Sequence, residues 1–456
     1  MNQFLNPVSM LRLAWHYARD VNRVWRLDKS ELERYQNKMF KKLVRYAYKK
    51  TKLYREKFGE ANLDVEEIRS IKDIEKIPLI NKEDLAGRPL EEITPQSYLK
   101  KDFRIVSTSG SSGKPLSLPY TLYETALSAL YGLRMMRAYG LNWRKTRVTN
   151  IGDFSVSRSS DEELYKPLVN KVSSIGLAEK QQLLYVGEKG EDLIRKMERF
   201  RPDLIVGYTS VLVSIALLRK EGFGENIKPK YIVSSGEILD RYSRKIIEDA
   251  FDTKVLDLYA TTEGGAIAFE CLEGNMHVNA DRIYMETLDD KGNRVKEGKV
   301  GNIVITKLLP MGVPIIRYTG LNDMASMETK DCGCGMHTPL IKKLEGRRKE
   351  AIILPNKRII PPTTIPLQLI ESMGKFNVNN VERFQFFQGR SDRLEIRLKV
   401  RGRLKNEEKL FEDITRGYKK MLGEEVDIEV KVVDELENPR KSLLPPSVIS
   451  KVSSLQ

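Results

Sequence analysis

The sequence contains very little cysteine and histidine, with three of each among 456 residues. An odd and small number of cysteines argues against a disulfide framework. No apolar run approaches the roughly 18 residues that would cross a bilayer. The first twenty residues also lack an apolar core followed by a small-residue cleavage site. The sequence therefore predicts a protein with no transmembrane segment and no signal peptide and, by elimination, a cytoplasmic location.

Charge of both signs is abundant, and the net charge is +15. Such an excess of bases suits nucleic acid, a membrane surface or an anionic small substrate. Acids and bases interleave along most of the chain, which favours an ordinary solvated surface instead. The exception is segment 38–57, where bases dominate and apolar residues recur at helical spacing. We predict a packed helix with a basic outer face there, and contact with a polyanion is the alternative.

The length of the chain predicts two or three domains. Residues 1–100 read as mostly helical, and strands alternate with helices further along, which predicts a parallel sheet covered by helices. A smaller pattern of strands and helices begins after residue 346. We therefore predict an α/β fold with a large N-terminal domain (1–346), in which helices flank parallel sheets. A hinge (347–350) and a small, mobile α+β C-terminal domain (351–456) follow.

Polar clusters follow three of the predicted strands, at 207–210, 234–237 and 260–265. In parallel sheets, ligands bind beyond the carboxyl ends of the strands. These clusters therefore predict a ligand site formed by several loops.

The segment 107–115 reads Ser-Thr-Ser-Gly-Ser-Ser-Gly-Lys-Pro. Its glycines let backbone amides approach phosphate oxygens, its hydroxyls add donors, and Lys114 adds positive charge. Pro115 follows the lysine where a Walker A loop has serine or threonine, so this is not a P-loop. We predict a phosphate-binding loop of another kind, and a flexible Ser/Gly surface turn is the alternative.

The cysteines form a second constellation with histidine. Cys271, His277, Cys332 and Cys334 together offer three thiolates and an imidazole, which is the shell of a closed, structural zinc site. His337 is a rival for the fourth position, and three inert buried thiols are the alternative. His16 lies in an amphipathic stretch, where a packed or surface role is expected.

The loop 107–115 resembles the phosphate-binding signature of the adenylate-forming superfamily of acyl-CoA synthetases. Segments 259–263, 314–318 with the following Asp323, and 345–347 resemble its other signatures in the expected order. Phrases such as IPLINKEDL, SSGEILD and DCGCG are most similar to the phenylacetate-CoA ligase-like branch. That branch includes capsule-cluster ligases and deazaflavin-coenzyme adenylyltransferases, and the resemblance runs from about residue 40 to residue 452.

The resemblance implies a role for each matched residue. Those that would hold the β- and γ-phosphates of ATP are Ser107, Thr108, Ser109, Gly110, Gly113 and Lys114. Those that would contact adenosine are Ser235, Gly236, Glu237, Tyr259 and Asp323, the last through both ribose hydroxyls. Thr262 would touch the α-phosphate, Glu263 would bind Mg²⁺, and Arg347 would contact the ribose or phosphates near the hinge.

Two departures from the family pattern affect these roles. Asp323 lies one residue further from Arg317 than usual, and Asn322 replaces the glycine before it. In the tail, aligning the closing VISKV places Leu444 where the family has its catalytic lysine. Lys441 takes that catalytic role only if the loop shifts.

The resemblance implies ATP-dependent activation of a carboxylic acid, expected to be aromatic, to an acyl-adenylate, followed by transfer to CoA. Adenylyl transfer to a non-CoA acceptor, such as a deazaflavin coenzyme hydroxyl, is the alternative that the altered tail favours. A basic nucleic-acid-binding or scaffold protein with a degenerate nucleotide site is a second alternative. We expect a small acid and CoA as partners and no nucleic acid; a homodimer is left open.

Overall fold

The computed structural model describes residues 7–108, 115–154, 159, 161–173, 178–438 and 445–452. Its helices are α1 (Pro7–Asp20), α2 (Arg23–Arg26), α3 (Lys29–Lys50), α4 (Lys52–Glu60), α5 (Lys82–Ala86), α6 (Leu90–Ile93), α7 (Gln96–Leu99), α8 (Leu122–Ala138), α9 (Lys166–Ser173), α10 (Gly190–Phe200), α11 (Thr209–Lys220), α12 (Arg241–Phe251), α13 (Pro366–Lys375) and α14 (Glu407–Leu422). Among these residues, none of the helices combines the length and apolarity of a membrane-crossing segment.

The strands are β1 (Phe103–Ser107), β2 (Ser117–Thr121), β3 (Val148–Gly152), β4 (Gln181–Tyr185), β5 (Leu204–Gly207), β6 (Tyr231–Ser235), β7 (Val255–Thr261), β8 (Gly265–Glu270), β9 (Met276–Val278), β10 (Ile283–Leu288), β11 (Val300–Lys307), β12 (Asp323–Glu328), β13 (Leu340–Arg347), β14 (Ile352–Ile353), β15 (Ile359–Ile360), β16 (Val381–Arg390), β17 (Arg393–Val400), β18 (Asp427–Val432) and β19 (Val448–Ser450). The chain divides into two compact units. The first contains residues 1–185, 256–321 and 325–343, and the second contains 186–255, 322–324 and 344–456.

Seven strands that lie wholly or at least half in the first unit follow one another in the order β10-β11-β12-β13-β9-β8-β7. The pairs β10–β11, β13–β9, β8–β9 and β7–β8 are antiparallel, whereas β3 and β4 run parallel. The predicted strand before the polar cluster at 260–265 is therefore present as β7, and the antiparallel strand β8 follows it where the alternating pattern predicted a helix.

The predicted basic helix of segment 38–57 is in fact two helices. Helix α3 begins at a capping box, in which the Asp28 side chain accepts from the Glu31 backbone and the Glu31 side chain accepts in return. One face of α3 buries Phe40, Leu43 and Val44, and its lysines and arginines lie outside that buried face. The helix ends at Lys50 and α4 restarts at Lys52, so the packed-helix prediction holds with a break between the two.

A buried ion-pair network fixes the N-terminal helices to the rest of the first unit. Arg134 of α8 and Asp281 are both fully buried, and the guanidinium donates to both carboxylate oxygens at 2.8 Å. Arg134 also donates to the backbone carbonyl of Asp20 at 2.6 Å, and Arg23 of α2 donates to Asp281 at 3.2 Å. Since an unpaired buried charge is costly, this network fixes the end of α1 against α8.

In the second unit, β5 and β6 pair in parallel with Gly207 opposite Ser234. Helix α11 follows β5 and α12 follows β6, which confirms two of the predicted strand–loop–helix segments. The polar clusters at 207–210 and 234–237 therefore lie at the same edge of this strand pair, as expected for a ligand site.

The C-terminal part of the second unit has the predicted α+β pattern. Its four strands follow the order β18-β17-β16-β19. Helices α13 and α14 share one buried apolar cluster with them, which includes Phe386 of β16, Ile396 of β17 and Ile414 of α14. Tyr242 of α12 donates to the Val381 carbonyl at 3.1 Å, so this part also contacts the segment 186–255. The predicted hinge at 347–350 and the boundary at residue 346 stay predictions.

Candidate active site and metal centre

The predicted phosphate-binding loop (107–115) connects strands β1 and β2, and this pair of strands is named the phosphate hairpin. Strands β1 and β2 are antiparallel, with Ser107 opposite Ser117, and the hydroxyls of these two serines are 2.9 Å apart. At the base of the loop, the Thr108 amide donates to the Leu116 carbonyl at 2.9 Å, and the Leu116 amide donates to the Thr108 hydroxyl at 3.0 Å. The hairpin therefore holds both ends of the loop together, while Ser109, Gly110, Gly113 and Lys114 lie outside the described residues.

The second signature forms the turn between β7 and β8, within the same unit. The Gly264 amide donates to the Thr261 hydroxyl at 3.0 Å, which closes the turn at Thr262 and Glu263. Tyr120 of the phosphate hairpin donates its hydroxyl to the Thr262 carbonyl at 2.6 Å. This bond joins the hairpin that carries one signature to the turn that carries the other.

The Tyr120 ring is itself held by buried charges. The Lys307 ammonium lies 5.2 Å above the centre of this ring and donates to the Glu124 carboxylate at 2.7 Å. Tyr98 donates to the other Glu124 oxygen at 2.5 Å. Burial raises the pKa of Tyr120 to about 12, so its hydroxyl stays protonated at neutral pH and remains a donor.

Glu263 is held by a tyrosine from the third signature. The Tyr318 hydroxyl donates to Glu263 Oε1 at 3.1 Å, and both side chains are buried. Burial, reinforced by the neighbouring carboxylate, raises the pKa of Tyr318 above its usual value. A buried carboxylate in a fixed orientation is a suitable ligand for a hard cation.

The resemblance implies acid-dependent pyrophosphate release, and Tyr120→Phe should lower kcat/KM for this reaction by about tenfold, because the Thr262 carbonyl loses the hydroxyl that fixes the turn. The loss of one buried hydrogen bond should also lower the free energy of unfolding by about 1 kcal/mol. Steady-state kinetics and denaturant unfolding of the two proteins measure both effects.

Tyr139→Phe is the matched control, because the Tyr139 hydroxyl also donates to a backbone carbonyl, that of Glu270, at 2.9 Å. It should lose similar stability and keep the wild-type rate. Equal rate losses in the two variants would mean that Tyr120 has no special part in the site.

In the second unit, the predicted adenine-bordering segment begins as β6 ends. Gly236 has a φ of +80°, and a Cβ at this position would lie 2.6 Å from the Tyr208 ring. Only glycine allows both the left-handed backbone and this close approach. The Tyr208 ring therefore packs directly on the backbone of the predicted adenine segment.

The Glu237 carboxylate accepts hydrogen bonds from two different elements. Its Oε2 accepts from the Ser210 amide at 2.8 Å, in the first turn of α11, where the helix dipole favours an anion. Its Oε1 accepts from Arg383 of β16 at 2.7 Å. Arg383 also donates to the Pro445 carbonyl, so one arginine joins the predicted adenine segment to the start of the described tail. Sequence reasoning did not single out Arg383.

Arg347 and Asp323 belong to the second unit. Asn322 has a φ of +59°, a conformation that asparagine tolerates better than most non-glycine residues. Its carbonyl accepts from the Arg348 amide at 2.8 Å, so the Asp323 segment and the predicted hinge are hydrogen-bonded. The Arg347 side chain is half exposed and lies 3.9 Å from Glu350.

Arg317, the first charged residue of the third signature, is a structural residue. It is buried, donates to both Glu286 oxygens at 3.2 and 3.3 Å, and donates to the Ile77 carbonyl at 2.8 Å. Its φ is +47°. The guanidinium is therefore occupied within the first unit.

The four predicted zinc ligands converge in the first unit. One ligand atom from each of Cys271, His277, Cys332 and Cys334 lies within 4.8 Å of all the others. His277 Nε2 is 3.2 Å from the Cys334 sulfur, and the sulfurs of Cys271 and Cys332 are 3.7 Å apart. The group includes His277 and not His337. The structure thus confirms that these side chains cluster, while the identity of an ion stays a prediction.

Neighbouring groups orient the cluster. His277 Nδ1 is 3.0 Å from the Thr338 hydroxyl, which leaves Nε2 facing the cysteines. Asn275 donates to the Cys332 sulfur at 3.2 Å. Burial lowers the pKa of His277 to about 4, so the imidazole is neutral at pH 7, which is the form that binds metals.

Each cysteine segment turns sharply at a glycine. The Gly274 amide donates to the Cys271 carbonyl at 2.9 Å, and the Gly335 amide donates to the Cys332 carbonyl at 3.1 Å. The two glycines have φ values of +76° and +79°. These matched turns present the sulfurs toward one another, as in a four-ligand metal site.

The predicted site residues thus fall into two groups. Ser107, Thr108, Tyr259, Thr262 and Glu263 belong to the first unit, and Ser235, Gly236, Glu237, Asp323 and Arg347 belong to the second. Lys441 and Leu444 lie outside the described residues, as do the four loop residues named above. The structure adds three residues to the candidate site that were given no role from the sequence: Tyr120, Tyr318 and Arg383.

Known proteins resemble this chain over most of its length. The chain is 26% identical to the phenylacetate-coenzyme A ligase of Thermus thermophilus over 355 residues, covering 74% of each chain. It is 24% identical to the protein CapK of Staphylococcus aureus, covering 85% of this chain and 82% of CapK. No model of a known protein family matches the sequence.

Solved structures share the fold. A 2-hydroxyisobutyryl-CoA ligase in the postadenylation state superposes with a TM-score of 0.75 at 19% identity, covering 93% of this chain and 90% of the ligase. An anthranilate CoA ligase in complex with anthranoyl-AMP gives a TM-score of 0.53 at 13% identity, covering 75% and 65% of the two chains. These comparisons confirm the resemblance: the chain is similar in sequence to phenylacetate-CoA ligases and CapK, and it shares its fold with solved CoA ligases that form acyl-adenylates.

Proposed function

We propose that this protein is an AMP-forming acid–CoA ligase that activates a carboxylic acid with ATP. The observation that supports it most is the pair of bonds at the 259–263 turn. Tyr120 joins this turn to the phosphate hairpin, and Tyr318 orients the buried Glu263 carboxylate within it. Two signatures that are far apart in the sequence therefore form one rigid group, as phosphate chemistry requires.

The proposed reaction has two steps. In the first, a carboxylate oxygen of the acid attacks the α-phosphorus of ATP, and pyrophosphate leaves. In the second, the CoA sulfur, having lost its proton, attacks the acyl carbon, and AMP leaves with the carbon–oxygen electron pair. The amides and hydroxyls of the loop, together with Lys114, would bind the phosphates, and Thr262 would contact the α-phosphate that is transferred.

Magnesium fits the carboxylate of Glu263, because a buried, oriented carboxylate supplies the oxygen ligand that Mg²⁺ prefers. When bound, the ion would neutralise charge on the phosphates. Zinc fits the cluster of three cysteines and His277, whose four donors converge without a carboxylate. There the ion would have a structural role and take no part in the reaction.

We propose an aromatic acid as substrate, and the phenylacetate-CoA ligases among the relatives support this choice. The segment 207–210 and the ring of Tyr208, which packs on Gly236, are the places where an acid-binding wall would form in the second unit. The proposed ribose role of Asp323 and the catalytic role of Lys441 are part of the same proposal.

Pyrophosphate release from ATP should depend on an added acid, and phenylacetate and benzoate form the first panel. With CoA present, the products should be AMP and an acyl-CoA thioester, identified by mass spectrometry. Acetate at the same concentration controls for a nonspecific carboxylate effect. Pyrophosphate release that needs no CoA and leaves AMP on a hydroxyl acceptor would reject the ligase in favour of adenylyl transfer.

A further inference from the structure

Helix α1 has two different faces. On one, Leu13 packs against a buried cluster of Val21, Leu127 and Leu130, and the buried Asp20 ends the helix. This face fixes α1 to α8, with the ion-pair network of Arg134 at its end. The helix is therefore anchored to the first unit, and this anchoring also fixes the orientation of its opposite face.

That opposite face is apolar and exposed. Val8, Leu11 and Trp15 are spaced three and four residues apart, so they lie along one side of the helix. Their exposed fractions are 53%, 72% and 53%. Met10 and Tyr17 are exposed as well, so α1 contributes five of the twelve large hydrophobic residues that are exposed in the described part of the chain. Such a concentration in one helix marks an interaction surface.

The charges around this stripe are positive. Arg12 and Arg19 are exposed on its flank, and the Arg19 guanidinium lies 5.1 Å above the Trp15 ring. The one acid in α1, Asp20, is buried and pairs with Arg23 and His16. The stripe is thus bordered by cations, with no exposed acid on the helix.

The neighbouring surface has the same character. The Trp143 indole donates to the Tyr17 hydroxyl at 2.9 Å, and the exposed Arg144 and Lys145 follow it in the chain. Tryptophan and tyrosine with apolar bodies and polar tips are the residues that favour a membrane–water interface. The apolar stripe of α1, the Tyr17–Trp143 pair and the exposed cations therefore lie on neighbouring parts of one surface.

We propose that α1 binds the surface of an anionic lipid bilayer, with Val8, Leu11 and Trp15 inserted among the lipids. The flanking arginines would contact lipid phosphates, as in interfacial amphipathic helices. Charge complementarity favours this occupant over a second copy of the chain, because two copies would bring the same arginines together. A stripe this short gives weak, reversible binding that salt reduces.

Co-flotation of the full chain with vesicles tests the proposal. The protein should float with vesicles of phosphatidylcholine containing phosphatidylglycerol and not with phosphatidylcholine alone. The double variant Leu11→Asp/Trp15→Asp should lose flotation, and Arg12→Glu/Arg19→Glu should lower the partition constant by about tenfold or more. Raising the salt concentration should release the wild type.

Phe223→Asp is the matched control, since Phe223 is also an exposed hydrophobic residue, at 47%, and lies outside α1. It should float like the wild type, and all variants should keep their circular dichroism and their rate of acid-dependent pyrophosphate release. Absence of wild-type flotation, or equal flotation on both vesicle types, would overturn the proposal. So would a wild-type dimer that Leu11→Asp/Trp15→Asp converts to monomer without any vesicle binding, because the stripe would then be a dimer contact.

Discussion

Replacing Glu263 with glutamine should lower kcat/KM for acid-dependent pyrophosphate release by about 10²–10³-fold. The amide keeps the size of the side chain and can still accept from Tyr318, so the turn should keep its shape. What it loses is the negative charge that would hold Mg²⁺ against the phosphates. The rate is measured against Mg²⁺ concentration, and the variant should require much more Mg²⁺ to reach half of its own maximum.

Glu270→Gln controls for the loss of a buried glutamate on the adjoining strand. Its Oε2 accepts from the Asp257 amide at 2.9 Å, a bond that a glutamine oxygen can replace. This variant should retain the wild-type rate and Mg²⁺ dependence. If Glu263→Gln retained a rate within about threefold of the wild type, the assignment of Glu263 as the magnesium ligand would be wrong.

Purified protein should contain about one zinc ion per chain, and replacing Cys332 and Cys334 by serine should remove it. Structural zinc contributes about 10–16 kcal/mol in small zinc-finger peptides. Here the first unit has a large core of its own, so we expect a smaller loss of unfolding free energy, on the order of 5 kcal/mol. Elemental analysis gives the metal content, and denaturant unfolding with and without a chelator gives the stability.

The two histidines near the cysteines provide an internal comparison. His277→Ala should lose zinc, because its Nε2 lies 3.2 Å from the Cys334 sulfur. His337→Ala should keep the metal, because His337 is exposed and is not among the converging ligands. Two results together would contradict the zinc site: wild-type protein purified without zinc, and a double serine variant with unchanged stability. The three cysteines would then be ordinary free thiols.

The strands and helices were most predictable where hydrophobic periodicity is strong. The C-terminal pattern was correct from β14 to β18, and β17 shows the signal most clearly, because buried residues alternate there with exposed or partly exposed ones. Strand β2 was not predicted, because its sequence Ser-Leu-Pro-Tyr-Thr contains Pro119 and is typical of a loop. It forms a strand since Pro119 pairs with Ile105 in a hairpin of only two strands.

A local motif marked the polar segment 260–265, and the structure has the turn between β7 and β8 there, while the roles of its residues stay predictions. Contacts between distant residues were not predictable in this way. Tyr120 contacts Thr262 across 142 positions, and Arg383 contacts Glu237 across 146. Each of these side chains looks like an ordinary strand residue in the sequence, and only the packing of the strands gives it a partner. The cysteine cluster was the exception among these long-range contacts. It could be predicted because cysteine and histidine are rare in this chain.

Asn322 shows what a sequence signature at this position specifies. With its φ of +59°, the residue before Asp323 needs a left-handed backbone, which glycine adopts freely and asparagine tolerates. A sequence pattern that requires glycine at this position would miss chains like this one, which have asparagine there. A pattern that accepts glycine or asparagine and rejects β-branched residues would describe the left-handed conformation itself. Such a pattern would recognise distant relatives better.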